Sequence, residues 1–220
     1  MSRLVWDQTG EKFYEAGVDR AVVYPMTAAG VYQTGAAWNG LTAVNESPEG
    51  AEASPLYANN RKYVEIMSSE EFKGTIEAYT YPDEFEACNG VVEIAEGVYA
   101  TQQNRTRFGL TYRTGIGNDT VGKNLGYKLH LVYNCLASVA EKENPTIGEE
   151  VEPTTMSWEF STTKVDCGKL EPTSHIIIDS RKVDATKLAE LEDMLYGTES
   201  DEATLPTPAE VIALFGGAAA

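Results

Sequence analysis

Two spacings of apolar residues divide this chain. Between Arg20 and Asp179 apolar residues recur at every second position in short runs. That is the pattern of strands with one buried face. Beyond Asp184 they recur every three or four positions, as on a helix.

Arg20 to Tyr24 predicts a strand closed by Pro25, and the stretch from Val31 to Val44 predicts strand material around Gly40. Tyr63 to Ile66 is a further strand, and Ser68 to Phe72 a turn. From Lys73 to Tyr81, Ile76 and Ala78 fall on one face and Thr75, Glu77 and Tyr79 on the other, until Pro82-Asp83-Glu84-Phe85 breaks the run. Phe108, Leu110 and Tyr112 alternate with Gly109, Thr111 and Arg113, and Gly115 to Asp119 reads as a hairpin turn. Tyr127, Leu129, Leu131, Tyr133 and Cys135 then line one face of a long strand, with Lys128, His130 and Asn134 opposite. Met156, Trp158 and Phe160 point inward from a strand whose outer face carries Ser157, Glu159 and Ser161. Ile176 to Ile178 reads as a well-buried strand.

Leu188, Leu191 and Leu195 mark the helix, with Asp184 placed to cap its start and Gly197 to close its end. A second short helix is expected from Thr207, with Pro208 at its first position and Glu210 completing a capping box. Two polar stretches interrupt the strands. Residues 45–60 are acidic and rich in loop formers, which predicts a long exposed loop. Glu141 to Pro153 reads as an acidic linker, and residues 216–220 as a frayed end. The expected fold is therefore mainly β: one domain over residues 1–220, a β-sandwich or partly closed barrel with one flanking helix and a short C-terminal helix.

Composition sharpens this picture in one respect. There are 34 Asp and Glu against 17 Lys and Arg, for a formal net charge of −17. Phosphate binding needs clustered cations, so general nucleic-acid binding is disfavoured. No run approaches the ~18 apolar residues of a membrane span, and Met1 to Asp7 lacks the apolar stretch of a secretory signal. A soluble protein made in a cytoplasm is expected. Cys88, Cys135 and Cys167 are widely spaced and read as isolated thiols. The sequons at Asn45, Asn104 and Asn118 read as chance matches.

Searches for chemistry come back without a site. His130 and His175 fall in separate strands with no second ligand nearby in sequence, and read as ordinary sheet residues. The carboxylate pairs Glu70-Glu71, Glu84 with Glu86, and Glu149-Glu150 with Glu152 sit in polar segments that read as solvated surface rather than a glycosidase pair. Gly115-Ile116-Gly117 lacks the Lys-Ser/Thr ending of a phosphate loop. No catalytic residue, metal or cofactor is expected.

A series of motifs follows in order: Trp38-Asn39-Gly40-Leu41, Ser54-Pro55-Leu56-Tyr57-Ala58, Glu77 to Phe85, Phe108 to Arg113, Gly126 to Tyr133, and Ser157 to Thr163. In their order and number these resemble the major tail proteins, or tail tube proteins, of long non-contractile-tailed bacteriophages, nearly end to end from Leu4 to Phe215. The resemblance implies a structural virion protein with no enzymatic role. It would form homohexameric rings, stacked into the phage tail tube around a tape measure protein, with tail terminator and distal tail proteins at the ends. DNA would pass through the lumen without specific binding, and no membrane is involved. Assembly would take place in the host cytoplasm. Six copies at −17 each would carry −102, and part of that charge is expected to line the lumen, where a basic wall would hold phosphate. Residues 45–60 would then contact the neighbouring ring through Glu46, Glu49 and Glu52, with Leu56 and Tyr57 as apolar anchors. The alternatives are a monomeric β-sandwich module for decorating a virion or binding carbohydrate, and, third, a glycoside hydrolase.

Overall fold

The structure is a computed structural model; it describes residues 3–138, 142, 144, 146, 153–168 and 170–216. The main sheet runs β2 (Ala36–Ala37), β1 (Phe13–Pro25), β9 (Phe108–Asn118), β10 (Gly122–Ala137), β11 (Met156–Thr162), β6 (Lys73–Ala78), β3 (Leu41–Glu46). All its neighbours are antiparallel. The amino-terminal part of β10 also pairs with β14 (His175–Asp179), so β14 and β11 share one edge of that strand. The sheet curls until β1 and β3 lie near one another without forming a ladder, so it does not close into a barrel. Three two-stranded hairpins lie outside it: β4 (Ala53–Ala58) with β5 (Arg61–Met67), β7 (Val92–Ala95) with β8 (Val98–Ala100), and β12 (Val165–Cys167) with β13 (Leu170–Thr173).

Both faces of the curled sheet are buried. The concave face encloses Ala21, Val23, Ile76, Ala78, Phe108, Leu110, Tyr112, Trp158 and Phe160, plugged by Trp38, Phe85 and Cys88. Trp158 is surrounded edge-on by Trp38, Tyr81 and Phe85, the geometry in which aromatic quadrupoles attract. The convex face carries Val22, Tyr24, Leu129, Leu131, Tyr133 and Ile178. It is covered by α1 (Ala185–Tyr196) through Leu188, Leu191 and Leu195, and by α2 (Pro208–Leu214) through Val211. The Tyr24 hydroxyl donates to the Leu195 carbonyl at 2.6 Å, which satisfies a buried polar group and ties sheet to helix.

The helix ends follow the expected signals. The Asp184 carboxylate accepts from the amides of Thr186 and Lys187, and Gly197 takes a φ of 75° after the last turn. Thr207 and Glu210 form a capping box with Pro208 at the first position of α2.

Two bulges set which residues face which core. Asn134 has a φ of +53° and the β9–β10 register shifts between Val132 and Cys135. Up to Tyr133 the odd-numbered residues of β10 face the helices; past the bulge, Cys135 and Ala137 turn to the concave core. Strict alternation therefore misplaces Cys135, which does not share the face of Leu129, Leu131 and Tyr133. Arg20, with a φ of +49°, does the same in β1: Val18 before it and Ala21 and Val23 after it all pack on the concave core.

Other expectations are corrected as well. Gly115, Ile116 and Gly117 belong to β9, and the turn lies at Asp119 to Val121, organised by the Asn118 side chain accepting from the amides of Thr120 and Val121. β14 is an edge strand paired only with β10, so of its three isoleucines only Ile178 is buried and Ile177 is exposed. The stretch 45–60 is not a loop, since it holds the end of β3 and all of β4. Of the acidic linker only Lys142, Asn144, Thr146 and Pro153 are described, and residues 217–220 and the carboxylates Glu149, Glu150 and Glu152 lie outside the described residues. Cys88, Cys135 and Cys167 are buried free thiols.

Candidate assembly arm and the cluster at its root

The strands β3 and β6 do not stop where the sheet ends. Their ladder continues outward through the Ser47 amide donating to the Lys73 carbonyl and reciprocal backbone bonds between Glu49 and Glu71, and reaches the Ser68 amide on the Glu52 carbonyl. It then passes into the β4–β5 hairpin. Residues 47–72 are thus one arm, two strands wide, growing out of the sheet. Its tip is the pair Asn59-Asn60, with φ of 50° and 62°. Positive φ at both central residues gives a two-residue turn whose twist matches the flanking strands. Sequence reading missed this hairpin because the tip is Asn-Asn rather than Asn-Gly, and because Pro55 and the acidic flanks resemble a loop.

Each residue expected at the inter-ring contact can now be located. Glu46 ends β3 at the arm's root, with its carboxylate accepting from the Tyr112 hydroxyl at 2.7 Å. Glu49 holds Lys73 at 2.6 Å in the stem. Glu52 lies further out, its amide donating to Ser68 Oγ. Leu56 and Tyr57 stand on β4, 50% and 71% exposed. Register places Leu56 opposite Val64 and Ser54 opposite Ile66. Directly opposed residues share a face, so Leu56, Val64 and Ile66 form an apolar stripe along one side of the arm. Tyr63 is the extra residue at a register shift and is 78% exposed. The structure thus separates the acids, which lie at root and stem, from the apolar anchors, which lie on the outer hairpin.

A second, shorter hairpin, β7–β8, also presents apolar groups to solvent: Val92, Ile94, Val98 and Tyr99. The amino-terminal segment exposes Leu4, Val5 and Trp6 before Gly10 is strapped to the β9–β10 turn by Asp119 and Asn118.

Cations are half as many as acids, and some are committed within the chain. Lys62, Lys73, Arg113, Lys128 and Arg181 are ion-paired with Glu65, Glu49, Asp19, Glu15 and Asp179. Arg105 and Arg107 donate to backbone carbonyls of Ala137, Ser138 and Asn134. What remains on the surface is predominantly acidic. An open groove of about 600 Å³, lined by Asp19, Arg113, Lys123 and Tyr127 among others, has Asp19 as the one carboxylate in its described lining.

The root of the arm holds a cluster that sequence reading took for unrelated sheet residues. β14 pairs with β10 so that His130 and His175 converge, with Nδ1 of His130 3.1 Å from Nε2 of His175. Nδ1 of His130 is also 3.3 Å from Glu46 Oε1, and its Nε2 is 3.0 Å from Thr114 Oγ1. The ring of Tyr112 stacks on His130 at 4.5 Å, and Phe72, from the arm's return strand, packs on His175 at 4.2 Å. Burial disfavours the imidazolium form and lowers the pKa of both histidines, that of His175 to about 4, so both are neutral at pH 7. Burial, reinforced by the Glu46 charge, raises the pKa of the Tyr112 hydroxyl, which stays a donor. No single strand shows this cluster in its own pattern; only the β3, β10 and β14 registers assemble it.

No protein-family model matches the chain, and no curated protein matches it. Among solved structures, it is similar to a chain of the sheath–tube complex of an extracellular contractile injection system, PVC, in the extended state, determined by cryo-electron microscopy. The identity is 11% and the TM-score 0.34, over 73% of this chain and 88% of that one. A likeness at that level does not establish a shared fold.

Proposed function

We propose that the chain is a structural subunit that assembles with copies of itself into stacked rings, forming a tube of the phage-tail type, and that it has no catalytic role. The observation that carries this reading is the β4–β5 arm, a hairpin whose apolar stripe of Leu56, Val64 and Ile66 is exposed among the described residues. Isolated hairpins are marginal in water, and a contiguous exposed apolar strip marks an interface. The resemblance of the ordered motifs to those of tail tube proteins is in keeping with this reading.

In this reading the arm reaches a neighbouring ring, and Leu56, Tyr57, Val64 and Ile66 are its contacts. The acidic surface serves the lumen: with 34 Asp and Glu against 17 Lys and Arg, the wall repels a passing polyanion instead of binding it. The tape measure, terminator and distal tail proteins are the partners that such a tube requires.

Sedimentation velocity and negative-stain microscopy across a range of protein concentrations test the proposal. Rings or tubes are expected in the full chain. They should be lost when residues 53–67 are replaced by a short Gly-Ser turn, with the circular dichroism of the sheet retained. A chain that stays monomeric at high concentration, or one that forms the same tubes without its arm, overturns the reading.

A further inference from the structure

Glu46, His130 and His175 come from three strands that are distant in sequence, yet their ligating atoms all lie within 4.8 Å of one another. Nδ1 of His130 is 3.1 Å from Nε2 of His175 and 3.3 Å from Glu46 Oε1. Ligands on a tetrahedral zinc, at bonds of ~2.0–2.1 Å, stand about 3.3 Å apart. We propose that these three residues form a binding site for a divalent transition ion, zinc foremost, at the root of the arm. This inference goes beyond the assembly role and does not depend on it.

Three features favour a site over a chance meeting. First, the donor set is two imidazoles and one carboxylate, which suits zinc and leaves a fourth position for water or a group from a neighbouring chain. Second, two of the three candidate ligands have an outer partner of the kind metal sites use. Nε2 of His130 faces Thr114 Oγ1, which can accept its proton once Nδ1 binds the ion, and the Tyr112 hydroxyl holds the Glu46 carboxylate. Third, His130 is only 4% exposed and its ring is fixed by Tyr112, whereas Glu46 reaches solvent, so the site combines a rigid wall with an entrance. Binding would displace the proton shared between His130 and His175. It would also clamp β3, where the arm begins, to β10 and β14 of the body.

The test uses untagged full-length protein stripped with EDTA and titrated with Co²⁺ as the spectroscopic probe. One equivalent is expected to bind, with the visible absorption of a four-coordinate ion, and Zn²⁺ should discharge it and raise the Tm. His175→Ala and the more exposed Glu46→Gln should each weaken Co²⁺ binding by about tenfold or more, and Thr114→Val by about tenfold. Circular dichroism identifies any variant that fails to fold, and Glu46→Gln keeps the test informative if His175→Ala does. Absence of the absorption band at millimolar Co²⁺, or equal binding in the wild type and in both folded ligand variants, overturns the proposal.

Discussion

Trp158 and Tyr57 are both large aromatic residues on antiparallel strands, but the first is 1% exposed and the second 71%. The difference lies in what covers each face. The curled sheet is filled on its concave side by its own strands and covered on its convex side by α1 and α2, so both faces of β9 and of β10 from Leu129 to Tyr133 are buried over most of that length. The β4–β5 arm leaves that sheet through an interrupted ladder at its stem, and its residues are exposed on both faces. Apolar residues in the body thus make a core, and the same residue types in the arm make an exposed surface.

The largest effect is expected in the body. Trp158→Ala removes the ring that Trp38, Tyr81 and Phe85 meet edge-on. The loss should be about 3–5 kcal/mol, as for other large-to-small core changes, read as a fall in urea midpoint. A loss under about 1 kcal/mol would mean that the concave core is loosely packed and that the contrast with the arm is weaker than drawn.

A smaller effect tests how the body sorts its side chains between two cores. Asn134 sits in the left-handed region and switches β10 from one parity to the other. Asn134→Val places a β-branched residue at that φ and should cost about 1–3 kcal/mol, while Asn134→Gly should be close to neutral. Equal stability of the two variants by urea denaturation would show that the bulge is not fixed by backbone conformation.

The bulge also shows how far the sequence could be read. The alternation in β6, β9 and β11 identified the concave core because Ile76, Ala78, Phe108, Leu110, Trp158 and Phe160 keep one parity throughout. The helices were legible because their caps are local: Asp184, Thr207 and Glu210 act within their own turns. Cys135 was misplaced because a single residue of positive φ reverses parity, and Asn134 carries no sequence mark that separates it from an ordinary strand residue. Ile177 was misplaced because whether a strand is central or at an edge depends on pairing, not composition. The site at the arm's root was invisible for the same reason, since His130 and His175 are 45 residues apart and meet only through the β10–β14 register.

The smallest effect on the stability of the free chain is expected in the arm, and it bears most directly on the contrast. Tyr57 and Val64 contact no core, so Tyr57→Glu with Val64→Glu should change the urea midpoint of the monomer by less than about 0.5 kcal/mol equivalent, as for surface substitutions generally. Hydrogen exchange resolves the same point without mutation. In the free chain the ladder amides of β4 and β5 should exchange orders of magnitude faster than those of β9 and β10. Opening the arm uncovers no packed side chains, whereas opening the central strands breaks both cores. In the assembled state the arm's amides should become protected while those of β9 and β10 change little. If the arm were already as protected as the body in the monomer, its stripe would be covered by its own chain, and the case for a neighbouring copy would fail. If it stayed fast in assembled tubes, the tubes would be held together elsewhere, with the β7–β8 hairpin and the exposed Leu4, Val5 and Trp6 the next surfaces to test.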